Sequence, residues 1–550
     1  MPQYITPVSN EYINAGIFNG VSVVQSIDLR GVRFYNGDAS NSFRDCINLT
    51  TVYNFPTNVT DMSYSFTNCS KLVNPPIISS GVVNLTNTFN GCNSLTTWPP
   101  LPSSITNMAG AFFDCSALTS IPTLPSNVSD LDSCFRNCGF SATPTIPNSV
   151  TTMYSTFRRC YNLTAADINT ANTTNMQHCF ADCHALTRAN VIAPKCNSVH
   201  ALFFNCPALN NISVKVPNCT DVSTLLYSSS DSKLTSLKNI YLEVNSATNI
   251  DDLKQMAPNL EVVNVIAQTA TSANNSFSGC SKLNSIDYNL SSCINFVNCF
   301  RSCLNLVTVP QLPSTAKDIT NTYAYCEKLE SAPSIPSGVN KANHAFFNCR
   351  ALTSAPMLPR YLETMIGIFS GCNNLITAPV IPQSITDLTD SFSYCSRIAA
   401  TPVIPNSVTT LCSTFCECTS LVTADIQSTG ATNLFNTFSG CTSLTGDIHI
   451  NSTEITNAVN CFKSTSLRKN VCIPFKYTNN IDTVTYNSFI SAGYDVVGTK
   501  EGVFLRDING STTGMVNVTD YEYNHTDEVV ILNRYIGSGG NIHTPQIEEA

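Results

Sequence analysis

The chain has 550 residues, a net charge of −9 and only 12% charged residues. Without any Lys/Arg run there is no concentrated cationic face for phosphate, which argues against a nucleic-acid partner. No apolar run approaches the length needed to span a bilayer, so membrane insertion is not expected.

Residues 1–19 fit no repeat and read as an N-terminal cap or attachment segment; they carry neither a basic nor an apolar stretch of the kind that makes a secretory signal. From residue 20 a repeat sets in, first as Val24-x-x-Ile27-x-Leu29 and then as a Phe-x-x-Cys core at Phe43, Phe66, Phe89, Phe112, Phe135, Phe157, Phe180 and Phe203. The step is 23 residues, shortened once to 22 between Phe135 and Phe157. A fixed period of this size predicts a solenoid with one continuous core, so residues 20–209 form a first repeat block.

Inside one repeat, Val59, Met62, Phe66, Cys69 and Leu72 fall at i, i+3, i+7, i+10 and i+13. That stripe predicts a short helix on each coil, with Thr60-Asp61 as its N-terminal cap. The expected fold class is therefore an α/β solenoid, each coil carrying a short helix plus a strand or an extended proline-containing segment. Strands are expected where the return segment alternates without proline, as at Ala166-Asp167-Ile168 and Ile286-Asp287-Tyr288. Elsewhere the return reads P-x-[LI]-P, as in Pro122–Pro125, Pro144–Pro147, Pro310–Pro313, Pro333–Pro336, Pro356–Pro359, Pro379–Pro382 and Pro402–Pro405. Proline donates no ladder hydrogen bond, so the sheet should be short or broken there. Two roles are open to these prolines: setting a tight turn at every coil, or forming a stacked Pro/Leu ridge on which proteins dock.

Residues 210–276 are degenerate bridging repeats, with Leu226 and Leu253 at the Phe position and strands expected within Leu234–Leu242 and Leu260–Val265. The core returns at Phe277, Phe300, Tyr323, Phe346, Phe369, Phe392, Phe415 and Phe438, defining a second block over 277–467. The phrase Pro147-Asn148-Ser149-Val150-Thr151-Thr152 recurs as Pro405-Asn406-Ser407-Val408-Thr409-Thr410, which points to segmental duplication. Residues 468–550 lose the pattern and read as a C-terminal cap or attachment domain. Strands are expected there at Val471–Phe475 and Glu528–Leu532, a short helix at Thr485–Ala492 and a turn at Gly537–Gly540.

The chain contains 26 cysteines, most of them at one repeat position from Cys46 to Cys441. A position that recurs once per coil calls for a small buried hydrophobe, so free thiols are expected, including the close pairs Cys134/Cys138, Cys179/Cys183 and Cys299/Cys303 and the cluster Cys412, Cys416, Cys418. Many thiols and no visible export signal suggest folding in a reducing cytosol. The seven histidines are scattered, so no metal site is expected. No nucleophile, base and orienting group stand at motif spacing, and no phosphate loop follows Gly537–Gly540. Neither catalytic nor cofactor residues are assigned; Asp167 and Asp425 are equivalent strand positions of distant coils, and the residues that bind a partner are not identified.

The stretch Pro405–Thr410 leading to Thr414-Phe415, Cys418 and Leu421 resembles the consensus of BspA-like leucine-rich repeats. Ala111-Phe112, Cys115 and Leu118-Thr119-Ser120 fit equally, as do Ala345-Phe346, Cys349 and Leu352-Thr353-Ser354. Such repeats occur on bacterial and protist surface proteins and on phage virions. The resemblance implies a non-enzymatic structural or adhesive protein: a virion fibre, decoration or receptor-binding protein, or alternatively a cell-surface adhesin. Its implied partners are a host cell-surface protein or glycan, or other virion proteins, with the oligomeric state open.

Overall fold

The computed structural model describes residues 4–5, 11–226, 234–251, 253, 257–445, 448–450, 452 and 455–465. Towards the C-terminus it describes the strand backbones Val471–Ile473, Tyr494–Thr499, Gly502–Asp507, Tyr521–His525 and Val530–Tyr535. The helix expected at Thr485–Ala492 and the turn at Gly537–Gly540 lie outside the described residues. The chain forms two compact units, one of residues 1–276 with 286–292 and one of 277–285 with 293–550.

The stretch around each Phe is not an α-helix, and this corrects the α/β expectation to a parallel β-solenoid. Among the described residues the helical content is one three-residue 3-10 turn, Tyr35–Gly37. In the coil of Phe66, the N–H groups of Met62, Tyr64, Phe66 and Asn68 leave the coil and donate to carbonyls of the next one, those of Asn84, Thr86, Thr88 and Asn90, at 2.6–3.0 Å. The alternate N–H groups of Ser65, Thr67 and Cys69 turn back to the carbonyls of Met62, Tyr64 and Phe66, three residues earlier, at 3.0–3.2 Å. The segment is thus a run of overlapping β-turns whose backbone is satisfied half within the coil and half by its neighbour.

Positive φ is the physical reason. Tyr64 and Asn68 sit at φ 58° and 61°, and the same two positions recur as Asn41/Asp45, Asn87/Gly91 and Ser133/Asn137 in the first unit and His344/Asn348 and Asn436/Gly440 in the second. A right-handed helix requires negative φ throughout, so it cannot pass through them. Overlapping turns bring a side chain inward at the same three- and four-residue spacing as a helix, which is why the stripe looked helical. Asp61, expected as a helix cap, instead closes a local turn: its Oδ1 accepts from the Ser63 N–H at 2.7 Å.

The interior follows the predicted register. Val59, Met62, Phe66, Cys69 and Leu72 are fully buried. The Phe rings pile face to face, from Phe18 to Phe203 at centroid spacings of 5.1–6.3 Å in the first unit. In the second unit they run from Phe277 to Phe462 at 5.4–5.9 Å. Each ring removed from water contributes about 1.5–3 kcal/mol, so this column adds to the cohesion between coils that the buried Val, Met and Leu columns also supply.

Strands form where proline is absent. Ala165–Asn169, Arg188–Ile192, Asn211–Lys215, Asn239–Glu243 and Val262–Ile266 pair in parallel, and their sheet ends on Ser285–Asn289. The degenerate coils therefore keep the sheet register, with Leu226 and Leu253 buried. Across the proline coils, residues 54–164 and 293–423, there is no strand, and parallel single bridges such as Asp61↔Asn84 and Asp318↔Lys341 lie at the start of the turn run, where strand-bearing coils have them too, as at Thr152↔Asn175. In the second unit Ala424–Ile426, Ile448–Ile450 and Val471–Ile473 resume the parallel ladder, and the last of them pairs antiparallel with Gly502–Asp507.

Candidate binding face

The recurrent cysteine has a structural task. Cys69 Sγ donates to the carbonyl of Phe43 in the preceding coil at 3.0 Å. The same bond repeats at 3.0–3.2 Å from Cys92 to Cys206 and from Cys303 to Cys441. Burial pushes the thiols of Cys160, Cys206 and Cys326 up to about 12. They stay protonated, as a donor must, and are poor nucleophiles.

Every cysteine whose side chain is described is free. The close pairs resolve into two columns, because Cys134, Cys179 and Cys299 stand directly before the Phe. Other coils place a buried hydroxyl there: Ser65 Oγ donates to the Ala39 carbonyl at 2.7 Å and Thr437 Oγ1 to the Leu411 carbonyl at 2.8 Å. Among the described residues no three His, Cys, Asp or Glu side chains cluster in a way that could hold a metal ion, and no helix is long and apolar enough to cross a membrane. Asp167 forms a two-pronged pair with the half-exposed Arg188, at 3.0 and 2.8 Å, whereas Asp425 accepts from Gln427 Nε2 at 2.6 Å. Each carboxylate is engaged by a different neighbour.

The proline segments act as turn-setters. In each, the second proline's carbonyl accepts the N–H three residues on, as in Pro313 to Ala316, Pro336 to Val339 and Pro382 to Ile385, at 3.0–3.2 Å. The Leu or Ile of the motif points inward, with Leu312, Ile335, Ile381 and Ile404 buried and Leu358 partly buried, so no continuous Pro/Leu ridge forms. The residue between the first proline and that Leu or Ile faces out instead. Three consecutive coils make it aliphatic: Met357, Val380 and Val403 are 89%, 87% and 78% exposed.

With coils about 4.8 Å apart, three such residues form a strip roughly 10 Å long. Beside it, exposed Tyr361 packs under the Arg360 guanidinium at 5.5 Å. Thr123, Thr145, Gln311 and Ser334 make the strip position polar in other coils, and exposed Ile77 stands there alone in the first unit; at one of the polar ones, Gln311 Oε1 accepts the Ser334 backbone N–H at 2.7 Å, doing a ladder carbonyl's work. Because the proline before each aliphatic residue and the one two residues after it donate nothing, the strip is a poor template for an added strand and acts through side chains. Sequence reasoning did not single out Met357, Val380 and Val403. The available sign was a run of three apolar residues at a position that is polar at Thr123, Thr145, Gln311 and Ser334.

A family model described as a BspA type leucine rich repeat region (6 copies) matches residues 2–106, 39–139, 109–235, 200–330, 248–376, 320–444 and 363–493. Among solved structures, the chain is similar to a leucine-rich repeat protein from Bacteroides ovatus ATCC 8483, with 16% identity, 64% of this chain and 86% of that one covered, and a TM-score of 0.33. A leucine rich cell surface protein from Faecalibacterium prausnitzii A2-165 shares 22% identity over 51% of this chain and 83% of that one, with a TM-score of 0.31. A leucine-rich repeat protein from Eubacterium ventriosum ATCC 27560 shares 13% identity over 59% and 87%, with a TM-score of 0.33. No curated protein matches the chain.

Proposed function

The chain belongs to the BspA-type leucine-rich repeat family, and from that premise we propose that it is a non-enzymatic adhesive protein whose exposed coil face binds a macromolecule on a host cell surface. Leucine-rich repeat solenoids mediate protein–protein contact, and the observation that carries the reading here is the strip Met357, Val380 and Val403. Large aliphatic side chains stacked in the open over three coils lose water on contact with a partner, at about 25 cal/mol for each Å² covered.

The further proposal is that the protein is a phage virion component: a fibre, decoration or receptor-binding protein. What supports it is the ladder of free, protonated thiols, which suits folding in a reducing cytosol before release by lysis. A cell-surface adhesin is the alternative. Purified phage particles and washed cell envelopes, each analysed for peptides of this chain, separate the two: recovery from envelopes and not from particles overturns the virion assignment.

Adhesion is tested with the purified chain on intact candidate host cells. Wild type should bind, and the triple variant Met357→Glu, Val380→Glu, Val403→Glu should lose at least about tenfold in affinity. Binding to no host, or equal binding by the triple variant, counts against the strip.

A further inference from the structure

Every coil of the second unit that carries the Phe-x-x-Cys core passes through positive φ twice, at residues two before and two after its Phe, and at least one of the two carries a side chain. The coil of Phe369 is the exception. It has Gly367 and Gly371 at the two positions, at φ 58° and 76°, a pairing that recurs among the described residues only at Gly16 and Gly20 around Phe18, ahead of the first Phe-x-x-Cys core. The preceding coil has His344 and Asn348 there, and the following coil Asp390 and Tyr394. Conformation alone does not call for this pair, since Asn, Asp, Ser, His and Tyr satisfy the same φ in the neighbours.

Gly371 borders a notch, a hollow of about 420 Å³ also lined by Phe347, Asn348, Ser370, Asp390, Ser393 and Tyr394. The glycines let the near wall lean in. A Cβ on Gly371 would collide with Asn348 Oδ1, and one on Gly367 would come within 2.6 Å of the His344 ring. Phe347 is fixed by edge contacts with Tyr325 at 5.2 Å and with His344 at 5.6 Å. On the far wall, Tyr394 is 54% exposed. Asp390 is half-buried, faces His344, and accepts no hydrogen bond to its carboxylate from the described residues.

We propose that this notch holds one ring of an uncharged sugar, as part of a neutral glycan. An exposed aromatic ring offers its electron-rich face to the C–H side of a pyranose. Asn348 supplies a donor and an acceptor, Asp390 an acceptor, and Ser370 and Ser393 hydroxyls, an array that matches a polyol. No Lys or Arg lines the hollow, so a sialylated or sulfated ring would meet the Asp390 carboxylate without a counter-charge. A quaternary ammonium would satisfy the aromatic rings and Asp390, but it would cover the amide and hydroxyls with groups that cannot hydrogen-bond. The site lies apart in sequence register from the aliphatic strip and does not depend on it.

The test uses the full chain on an array of neutral and acidic oligosaccharides, followed by saturation-transfer NMR with the best neutral glycan and, separately, with choline. Two variants strip the notch while keeping a residue suited to positive φ: Tyr394→Asn removes the platform, and Asn348→Gly removes the amide. The expected result is binding of a neutral glycan, weakened about tenfold or more by either variant and unchanged in the strip variant Val380→Glu. Equal binding by wild type and both notch variants overturns the proposal, as does preference for acidic glycans or for choline, or binding of no neutral glycan. Because Val380→Glu leaves the notch intact, loss of cell adhesion through the strip and loss of sugar binding are read independently.

Discussion

Cys395 Sγ lies 3.1 Å from the carbonyl oxygen of Phe369 and donates to it, so the residue that marks one coil is bonded to the backbone of the ring that fills the coil before. The same carbonyl also accepts the Cys372 N–H at 3.0 Å within its own coil. A cysteine is thus both a small core filler and the second donor that a buried carbonyl oxygen can take. Cys395→Ala should lower stability by about 1–2 kcal/mol through the lost donor and a small void. Cys395→Val should cost more, because it adds a branch in a close-packed coil and still donates nothing. Urea midpoints of the two variants against wild type check this; equal midpoints for all three would show that the thiol bond contributes nothing.

Thiol accessibility separates the ladder from the rest. Cys412 and Cys416 are partly exposed, whereas the ladder thiols Cys349, Cys372 and Cys395 are buried; desolvation pushes the titration of all five upward, so access is what separates them. Brief alkylation of the native chain near pH 8, followed by peptide mapping, should label Cys412 and Cys416 well ahead of Cys349, Cys372 and Cys395. Ladder cysteines should label only after denaturation. Labelling at similar rates would mean that the coils open readily.

How far the sequence could be read depended on which physical cause left a mark in it. The period, the Phe, Cys and Leu interior and the interruption of the sheet by proline were legible, since each follows from burial or from a missing N–H at a recurring position. The turn run was not, because Val59, Met62, Phe66 and Cys69 have a spacing that helices and overlapping turns share. The distinguishing mark is the residue before each cysteine: Asp45, Asn68, Gly91, Asp114 and Asn137 all belong to the types that tolerate positive φ. The notch followed the same logic and was missed for the same reason, since Gly367 and Gly371 acquire meaning only once at least one of the two positions is known to carry a side chain in the other Phe-x-x-Cys coils.

The positive-φ columns also contain residues that fit them badly. Arg159 sits at φ 61°, and its ion pair with Asp182, at 3.8 Å with the guanidinium half exposed, contributes little. Arg159→Asn should therefore stabilise the chain by about 0.5–1 kcal/mol, the cost of a left-handed residue with a long side chain being relieved. The reverse change, Asn68→Val, should destabilise by about 2 kcal/mol, because it places a branched Cβ at φ 61° and removes the Asn68 Nδ2 bond to Asp45 Oδ1. Thermal midpoints moving in opposite directions for the two variants support the turn geometry; a loss of stability in Arg159→Asn would contradict it.

Acid should weaken the second unit through His344. Burial lowers its pKa from the ordinary 6.5, and the facing Asp390 carboxylate offsets this in part. Above pH 6.5 the imidazole is neutral in both folded and unfolded chains, so stability is flat with respect to this group. As pH falls below 6.5 the unfolded chain takes up a proton that the folded chain still resists, and stability drops until the lowered folded pKa is passed. His178, lowered by burial and by His200 and Arg158, acts with the same sign in the first unit. Asp390 acts oppositely and at lower pH: burial raises its pKa above 3.8, so the folded chain holds a proton more readily than the unfolded one as that range is approached. Urea midpoints measured at pH 8, 7, 6 and 5 should fall below pH 6.5 in wild type and fall less in His344→Asn, which keeps a residue suited to its φ of 54°. Parallel curves for the two proteins would remove His344 as a source of the acid sensitivity.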